Sequence, residues 1–136
     1  MGKLIIYTDG GARNNPGPAG IGIVIKDETG NVLETHKEYI GEKTNNQAEY
    51  KALIKALEIV RGKTKKIDFF LDSQLVVNQL KGLFKVKNSD IRNYLFKIRT
   101  LEQKFDEITY TFIPREKNKH ADKLVNQAID EEIKTK

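Results

Sequence analysis

Apolar residues alternate with small or polar ones in the early part of the chain and recur at helical spacing after it. Leu4-Ile5-Ile6-Tyr7-Thr8 is a short β-prone run that ends at Asp9-Gly10-Gly11. Gly20 to Lys26 and Val32 to Tyr39 predict two further strands, joined by the hairpin-like turn Asp27-Glu28-Thr29-Gly30-Asn31. Ala12 to Pro18 is rich in turn formers and predicts a tight loop between the first two strands. Ala48, Ala52, Leu53, Ala56, Leu57 and Val60 then share one helical face, and Gly62 stops the run.

Lys66 to Leu71 predicts a fourth strand that stops at Asp72, and a helix from about Ser73 to Leu80 follows it. After a basic link, a longer helix from about Ser89 to Lys104 places Ile91, Leu95, Ile98 and Leu101 on one side. Ile108 to Ile113 is the fifth strand. The last helix starts near Asn118 and turns Ala121, Leu124, Val125, Ala128 and Ile129 inward, with fraying expected at Lys134-Thr135-Lys136. This order predicts an α/β fold: a mixed five-stranded sheet with helices on its faces, in which the first strand can lie beside the fourth. The chain has 136 residues and no internal repeat or boundary, so it reads as one domain over 1–136.

Composition narrows the class. Charged residues make up 32% and hydrophobic ones 38%, which suits a packed globule and not a disordered chain. The apolar runs are too short to cross a bilayer, and the N-terminus carries no signal-like segment, so no membrane partner is expected. The absence of cysteine removes disulfides and thiolate metal sites and fits a cytoplasmic protein. Net charge is +5, and its distribution is informative: Lys81, Lys85, Lys87, Arg92, Lys97 and Arg99 face a single Asp90 between positions 81 and 99. Such a stretch would attract a polyanion, or would simply be a solvated helix surface.

Four carboxylates occupy unusual places. Asp9 and Asp72 end strands expected to be central and adjacent, while Glu49 and Asp122 fall near helix starts. In open α/β sheets functional groups collect beyond strand ends and near helix starts. Four unpaired carboxylates in one cleft would repel and raise one another's pKa values. An all-oxygen, sulfur-free site suits Mg²⁺ or Mn²⁺, and two such ions about 4 Å apart would clamp a phosphodiester. Each acid also has a local structural reading. Glu49 would be the N3 residue of a capping box with Asn46, and Asp122 would favour a helix dipole. Asp72 would cap the helix at Ser73, and Asp9 would open a Gly10-Gly11 turn.

The fragments Asp9-Gly10-Gly11, Asn15-Pro16-Gly17-Pro18-Ala19-Gly20, Thr44-Asn45-Asn46-Gln47-Ala48-Glu49, Asp72-Ser73-Gln74 and Asn118-Lys119-His120-Ala121-Asp122 resemble type 1 ribonuclease H in order and spacing. The resemblance implies a ribonuclease H-like sheet of order 3-2-1-4-5 with helices on both faces. It implies Asp9, Glu49, Asp72 and Asp122 as ligands of two Mg²⁺ ions, with Mn²⁺ as a substitute and Asp9 bridging the pair. Water would attack the RNA strand of an RNA–DNA hybrid and leave 5′-phosphate and 3′-hydroxyl ends. Recognition of the RNA 2′-hydroxyls would fall near Gly10, Gly11, Asn15, Asn45 and Gln74, and contact with the DNA strand at Thr44 and Asn46. Helix capping is the competing reading for Thr44 and Asn45.

Two departures from the family pattern stand out. Many relatives carry a histidine-bearing loop before the last aspartate, but Ile113 to Asp122 is too short for it. His120 precedes Asp122 by two positions and is expected on the surface or behind the site; His36 belongs to a strand face. Arg115 resembles the arginine of a short archaeal and bacterial subgroup. It would approach the phosphate, though not as a proton acceptor. Between Leu80 and Ser89 there is no tryptophan and no basic protrusion, only a short link with Leu83, Phe84, Lys85 and Lys87. Phe84 would serve as a partial aromatic handle or close the core beside Leu83, and Lys85 and Lys87 would contact substrate.

The functional expectation is a monomeric hybrid endoribonuclease, with cleavage of double-stranded RNA left open because the short subgroup includes members that do this. The alternative from another class is a catalytically inactive nucleic-acid-binding module of the same fold.

Overall fold

The computed structural model describes residues 2–134. Five strands, β1 (Leu4–Ala12), β2 (Gly17–Lys26), β3 (Val32–Lys43), β4 (Lys66–Leu71) and β5 (Glu107–Phe112), form one sheet in the order β3-β2-β1-β4-β5. The first three strands are antiparallel neighbours, while β4 runs parallel to both β1 and β5. Helices α1 (Asn45–Val60), α2 (Gln74–Leu80) and α3 (Ser89–Glu102) belong to the crossovers, and α4 (Lys119–Lys134) closes the chain. The expected fraying of Thr135 and Lys136 lies outside the described residues. Among those described, no helix is long and apolar enough to cross a membrane.

Alternation along β2 explains why helices cover both faces. Ile21, Ile23 and Ile25 point into the main core with Tyr50, Leu53 and Leu57 of α1. Gly20, Gly22 and Val24 point to the other face, where α4 lies. A Cβ on Gly22 would sit 2.2 Å from the Ala121 carbonyl oxygen, so α4 packs backbone against strand only because no side chain intervenes. The five residues predicted to turn inward from α4 are all buried. On α3, Ile91, Ile98 and Leu101 are buried and Leu95 packs beside them. Arg99 pairs with Glu102 at 2.9 Å and also donates to the Leu80 carbonyl; Glu102 accepts from the Tyr110 hydroxyl at 2.7 Å. These contacts tie α3 to the end of α2 and to β5.

Several expectations change in detail. Asp9 does not end a strand, because β1 continues through Gly10 and Gly11 to Ala12. The hairpin with β2 pairs as far as Ala12↔Ala19, and Gly10 and Gly11 therefore form no turn. The loop narrows to a bend before Gly17. Glu49 lies beyond the first turn of α1. The capping box is made by Thr44 and Gln47: Thr44 Oγ1 accepts from the Gln47 amide at 3.1 Å, and Gln47 Oε1 accepts from the Thr44 amide at 2.9 Å. Ser73, not Asp72, caps α2 by accepting from the Val76 amide. A 3₁₀ turn at Arg115–Lys117 precedes α4 and was not evident from hydrophobic spacing. Leu83 and Phe84 are exposed, which removes the reading of Phe84 as core.

Candidate active site

Strand register brings the first two acids together. The parallel pairing of β1 with β4 reaches Tyr7↔Phe70, whose rings stack at 5.2 Å on one face of the sheet. Side chains repeat with period two along a strand. Asp9 and Asp72 each follow that pair by two positions and emerge on the same face, just beyond the end of β4.

Glu49 arrives from above because α1 presses its backbone onto Gly10. A Cβ at Gly10 would lie 2.3 Å from the Ala48 carbonyl carbon and 2.5 Å from the Glu49 nitrogen. At that distance the Gly10 amide donates to Glu49 Oε1 at 2.6 Å. The second oxygen, Oε2, is buried without a hydrogen-bond partner. One carboxylate oxygen each from Asp9, Glu49 and Asp72 falls within 4.8 Å of the others, the one such cluster among the described residues.

Asp122 lies in the first turn of α4 and lines the same cavity, about 460 Å³ in volume, but stands outside that close cluster. Three of the four acids thus lie within contact range of one another, and Asp122 stands on the wall of the same cavity, where its charge still acts on Asp9. Asp122 reaches Asn126 instead, whose Nδ2 donates to the Asp122 carbonyl oxygen at 3.1 Å.

Electrostatics follow from this crowding. Burial, then the Glu49 charge and a shared side-chain hydrogen bond with it, then Asp72 and Asp122, push the Asp9 carboxyl up to about 10. Burial also raises Glu49 to about 7, against the opposing hydrogen bonds from Asp9 and Gly10 and the more distant attraction of Arg115. A divalent cation would remove the conflict. The donor set is oxygen alone, it includes a buried carboxylate oxygen that lacks a partner, and the acids crowd into a cavity open to a substrate. The residues present therefore fit a hard divalent ion.

The other predicted residues divide into groups. Gly10, Gly11, Asn45, Asn46 and Arg115 line the acidic cavity. Asn15, Thr44 and Lys87 line an adjoining one of about 470 Å³, to which Asn45 and Asn46 also contribute. Asn45 Oδ1 accepts from the Ala12 amide at 2.8 Å and Asn15 Oδ1 accepts from the Asn45 amide at 2.9 Å, locking the β1–β2 bend to the start of α1. Gln74 is exposed at the first position of α2, outside both cavity walls, and Lys85 is exposed on the link, also away from them. His120 is exposed and borders a separate small cleft with Tyr7 and Lys26, and His36 pairs with Glu38 on β3.

One buried residue was not singled out as a site residue: Asn118, whose Nδ2 donates to the Thr8 carbonyl at 2.9 Å and to Asp72 Oδ2 at 3.0 Å. Its place at the head of the Asn118-Lys119-His120-Ala121-Asp122 segment, four positions before Asp122, is the signal the sequence carries.

A family model described as reverse transcriptase-like matches residues 7–128. A bifunctional protein of Mycobacterium tuberculosis is 41% identical over 130 residues, which cover 94% of this chain and 36% of that protein. A protein of Halobacterium salinarum named ribonuclease HI is 40% identical over 131 residues, covering 96% of this chain and 66% of that one. The chain thus spans about a third of the first of these relatives and just under two thirds of the second. The crystal structure of LC11-RNase H1 in complex with an RNA/DNA hybrid superposes with a TM-score of 0.92 at 47% identity, covering 96% of this chain and 99% of that one.

Proposed function

The chain belongs to the ribonuclease H-like family that the reverse transcriptase-like model describes, and we propose that it is a metal-dependent endoribonuclease cutting the RNA strand of RNA–DNA hybrids. The observation that carries this reading is the cluster of Asp9, Glu49 and Asp72 oxygens within 4.8 Å, at the floor of a cavity whose rim holds backbone and amide groups suited to a sugar–phosphate backbone. The likeness to a protein solved with a hybrid bound supports the choice of substrate.

In this reading Asp9, Glu49, Asp72 and Asp122 hold Mg²⁺, with Mn²⁺ able to replace it. Ions held there would supply Lewis-acid stabilisation of the phosphate and a lowered pKa for the attacking water. The chain's own residues orient the reaction. The Gly10 amide fixes one oxygen of Glu49 and leaves the other buried and unpartnered. Asn118 fixes Asp72. Gly11, Asn15 and Asn45 form the wall that would meet 2′-hydroxyls, which DNA lacks. Thr44, Asn46 and Lys87 offer the adjoining cavity to the DNA strand. Arg115 on its 3₁₀ turn would contribute a permanent positive charge near the phosphate. Gln74 and Lys85 would join contacts only at the substrate's periphery. In this reading the described sheet and its helices act as one catalytic domain.

The test compares one labelled RNA sequence as hybrid, as duplex RNA and as a single strand, each with Mg²⁺, Mn²⁺ or EDTA. Metal-dependent hybrid cleavage that disappears in Asp9→Asn is the expected result. Comparable cutting of duplex RNA would widen the substrate class. A folded protein that binds hybrid but cuts nothing would instead be a nucleic-acid-binding module.

A further inference from the structure

Asn126 lies one helical turn beyond Asp122 on α4 and lines the same cavity. Its Nδ2 donates to the Asp122 carbonyl oxygen at 3.1 Å and reaches Asp122 Oδ2 at 3.5 Å. The acceptor end of the amide is engaged as well. Arg13 Nη2 donates to Asn126 Oδ1 at 3.3 Å and reaches the Asn126 carbonyl oxygen at 3.5 Å. Arg13 Nη1 pairs with Asp130 at 2.6 Å, a further turn along α4.

The polarity of this chain of contacts matters. A side-chain amide donates at one end and accepts at the other. Turned over, Asn126 would set its oxygen against the Asp122 carboxylate and its NH₂ against the Arg13 guanidinium, an unfavourable pairing on both sides. Arg13 therefore determines which end of Asn126 faces Asp122. Asp130 in turn keeps Arg13 in place, and the charge pair holds the Asp130 carboxyl below its usual range. Arg13 sits on the bend between β1 and β2, next to residues assigned above to the RNA strand. Asp122 is the acid left outside the close cluster, so its orientation is the least constrained by the other three.

We propose that Asn126 is a positioning residue for Asp122, oriented by Arg13, and that the pair sets the affinity of the acidic site for its divalent ion. The proposal rests on the nuclease reading. Groups that orient metal-ligating carboxylates change metal affinity or activity by about 10- to 100-fold when removed.

The experiment is calorimetric titration of Mn²⁺ into the hybrid-free protein, for wild type, Asn126→Ala, Arg13→Ala, Arg13→Lys and the double alanine variant. Cleavage is measured in parallel across metal concentration, and thermal unfolding in EDTA checks folding. Asn126→Ala is expected to bind Mn²⁺ about 10-fold more weakly and to regain kcat at high metal with hybrid KM unchanged. Arg13→Ala should shift the isotherm in the same direction by less, Arg13→Lys should restore it in part, and the double variant should match Asn126→Ala. Should Asn126→Ala not fold, Arg13→Ala, at a partly exposed position, carries the same test.

An unchanged isotherm in a folded Asn126→Ala would overturn the proposal. So would fully additive effects, or an Arg13→Ala variant whose only defect is a raised KM, since that would make Arg13 a direct substrate contact. A wild type that takes up no Mn²⁺ would overturn the nuclease reading and this one together; a wild type that binds it normally beside an unaffected variant would overturn this one alone.

Discussion

The Nδ2 of Asn118 lies 3.0 Å from Asp72 Oδ2 and 2.9 Å from the Thr8 carbonyl oxygen, so a single buried amide joins the middle of β1 to the end of β4 at the floor of the acidic site. The Asn118 carbonyl also accepts from the Asp122 amide at 3.1 Å, in the first turn of α4. One residue therefore sets the rotamer of one acid and the entry of the helix that carries another. Replacing it with alanine leaves a buried carbonyl without its donor. Asn118→Ala is expected to lose about 1–3 kcal/mol of stability and about 10- to 100-fold in kcat. Urea unfolding and steady-state hybrid cleavage measure both. Asn118→Asp, which sets a carboxylate against Asp72, should be worse in kcat than alanine; equal activity of the two would mean that the contact to Asp72 is incidental.

How far this site was legible in the sequence depends on which kind of interaction places each residue. Asp9 and Asp72 were found because alternating apolar runs stop close to them and period-two geometry does the rest. Asp122 was found from helical spacing after Asn118. The competing local reading of Glu49, a cap with Asn46, does not hold: Thr44 and Gln47 make the capping box, and nothing local distinguishes the two frames. What decides it is Gly10, a contact between residues distant in the chain that only the docked helix reveals. Asn118 and Asn126 stayed hidden for the same reason: an asparagine in a polar segment gives no periodic signal, and its partners are a strand carbonyl and charged groups met only in three dimensions. Helix and strand order, which rests on periodicity, was recovered throughout except for the 3₁₀ turn at Arg115–Lys117.

The close approach of α1 to β1 gives a second prediction. Gly10→Ala would drive a methyl group into the Ala48 and Glu49 backbone at 2.3–2.5 Å, where neither partner is a flexible side chain that can swing away. A shift of α1 is the only relief. Overpacking of this kind costs about 1–3 kcal/mol, occasionally more. The expected variant has a lowered Tm and little cleavage at any metal concentration, because Glu49 moves with its helix. A variant with native Tm and activity would show that α1 slides without consequence.

Acid crowding makes the metal-free protein sensitive to pH in a definite direction. Asp9 titrates near 10 in the fold against 3.8 for the ordinary group, and Glu49 near 7 against 4.5. Between those values the native state holds protons that the unfolded chain has released, so stability falls as pH rises across the window. In EDTA the urea midpoint is expected to be higher at about pH 5.5 than at about pH 8.5. Saturating Mg²⁺ or Mn²⁺ should raise Tm, with the larger gain at the higher pH. Asp9→Asn replaces the most strongly perturbed carboxyl, which the fold must hold protonated near neutral pH, with a neutral amide. It should stabilise the metal-free protein by about 0.5–2 kcal/mol near neutral pH while abolishing cleavage. A destabilised Asp9→Asn would contradict the charge argument.

The basic link supplies the last prediction. Lys87 lines the cavity beside Thr44 and Asn46, whereas Lys85 is exposed away from it, and Phe84 is half exposed between α2 and α3. A lysine that meets a phosphate contributes counterion release, so its loss weakens binding and flattens the salt dependence by about one in log–log slope. Lys87→Ala should therefore raise hybrid KM and reduce that slope, with kcat at saturating hybrid unchanged. Lys85→Ala should do less, since its charge reaches the substrate only across solvent and is screened within about 10 Å at 0.1 M salt. Phe84→Ala should raise KM with no change in salt slope if its ring stacks on the nucleic acid, because stacking releases no ions. Measuring hybrid affinity from low to high salt for the three variants separates these contributions. Equal effects of Lys85 and Lys87 would mean that the link acts as a diffuse positive surface and that the cavity beside Thr44 does not select the bound strand.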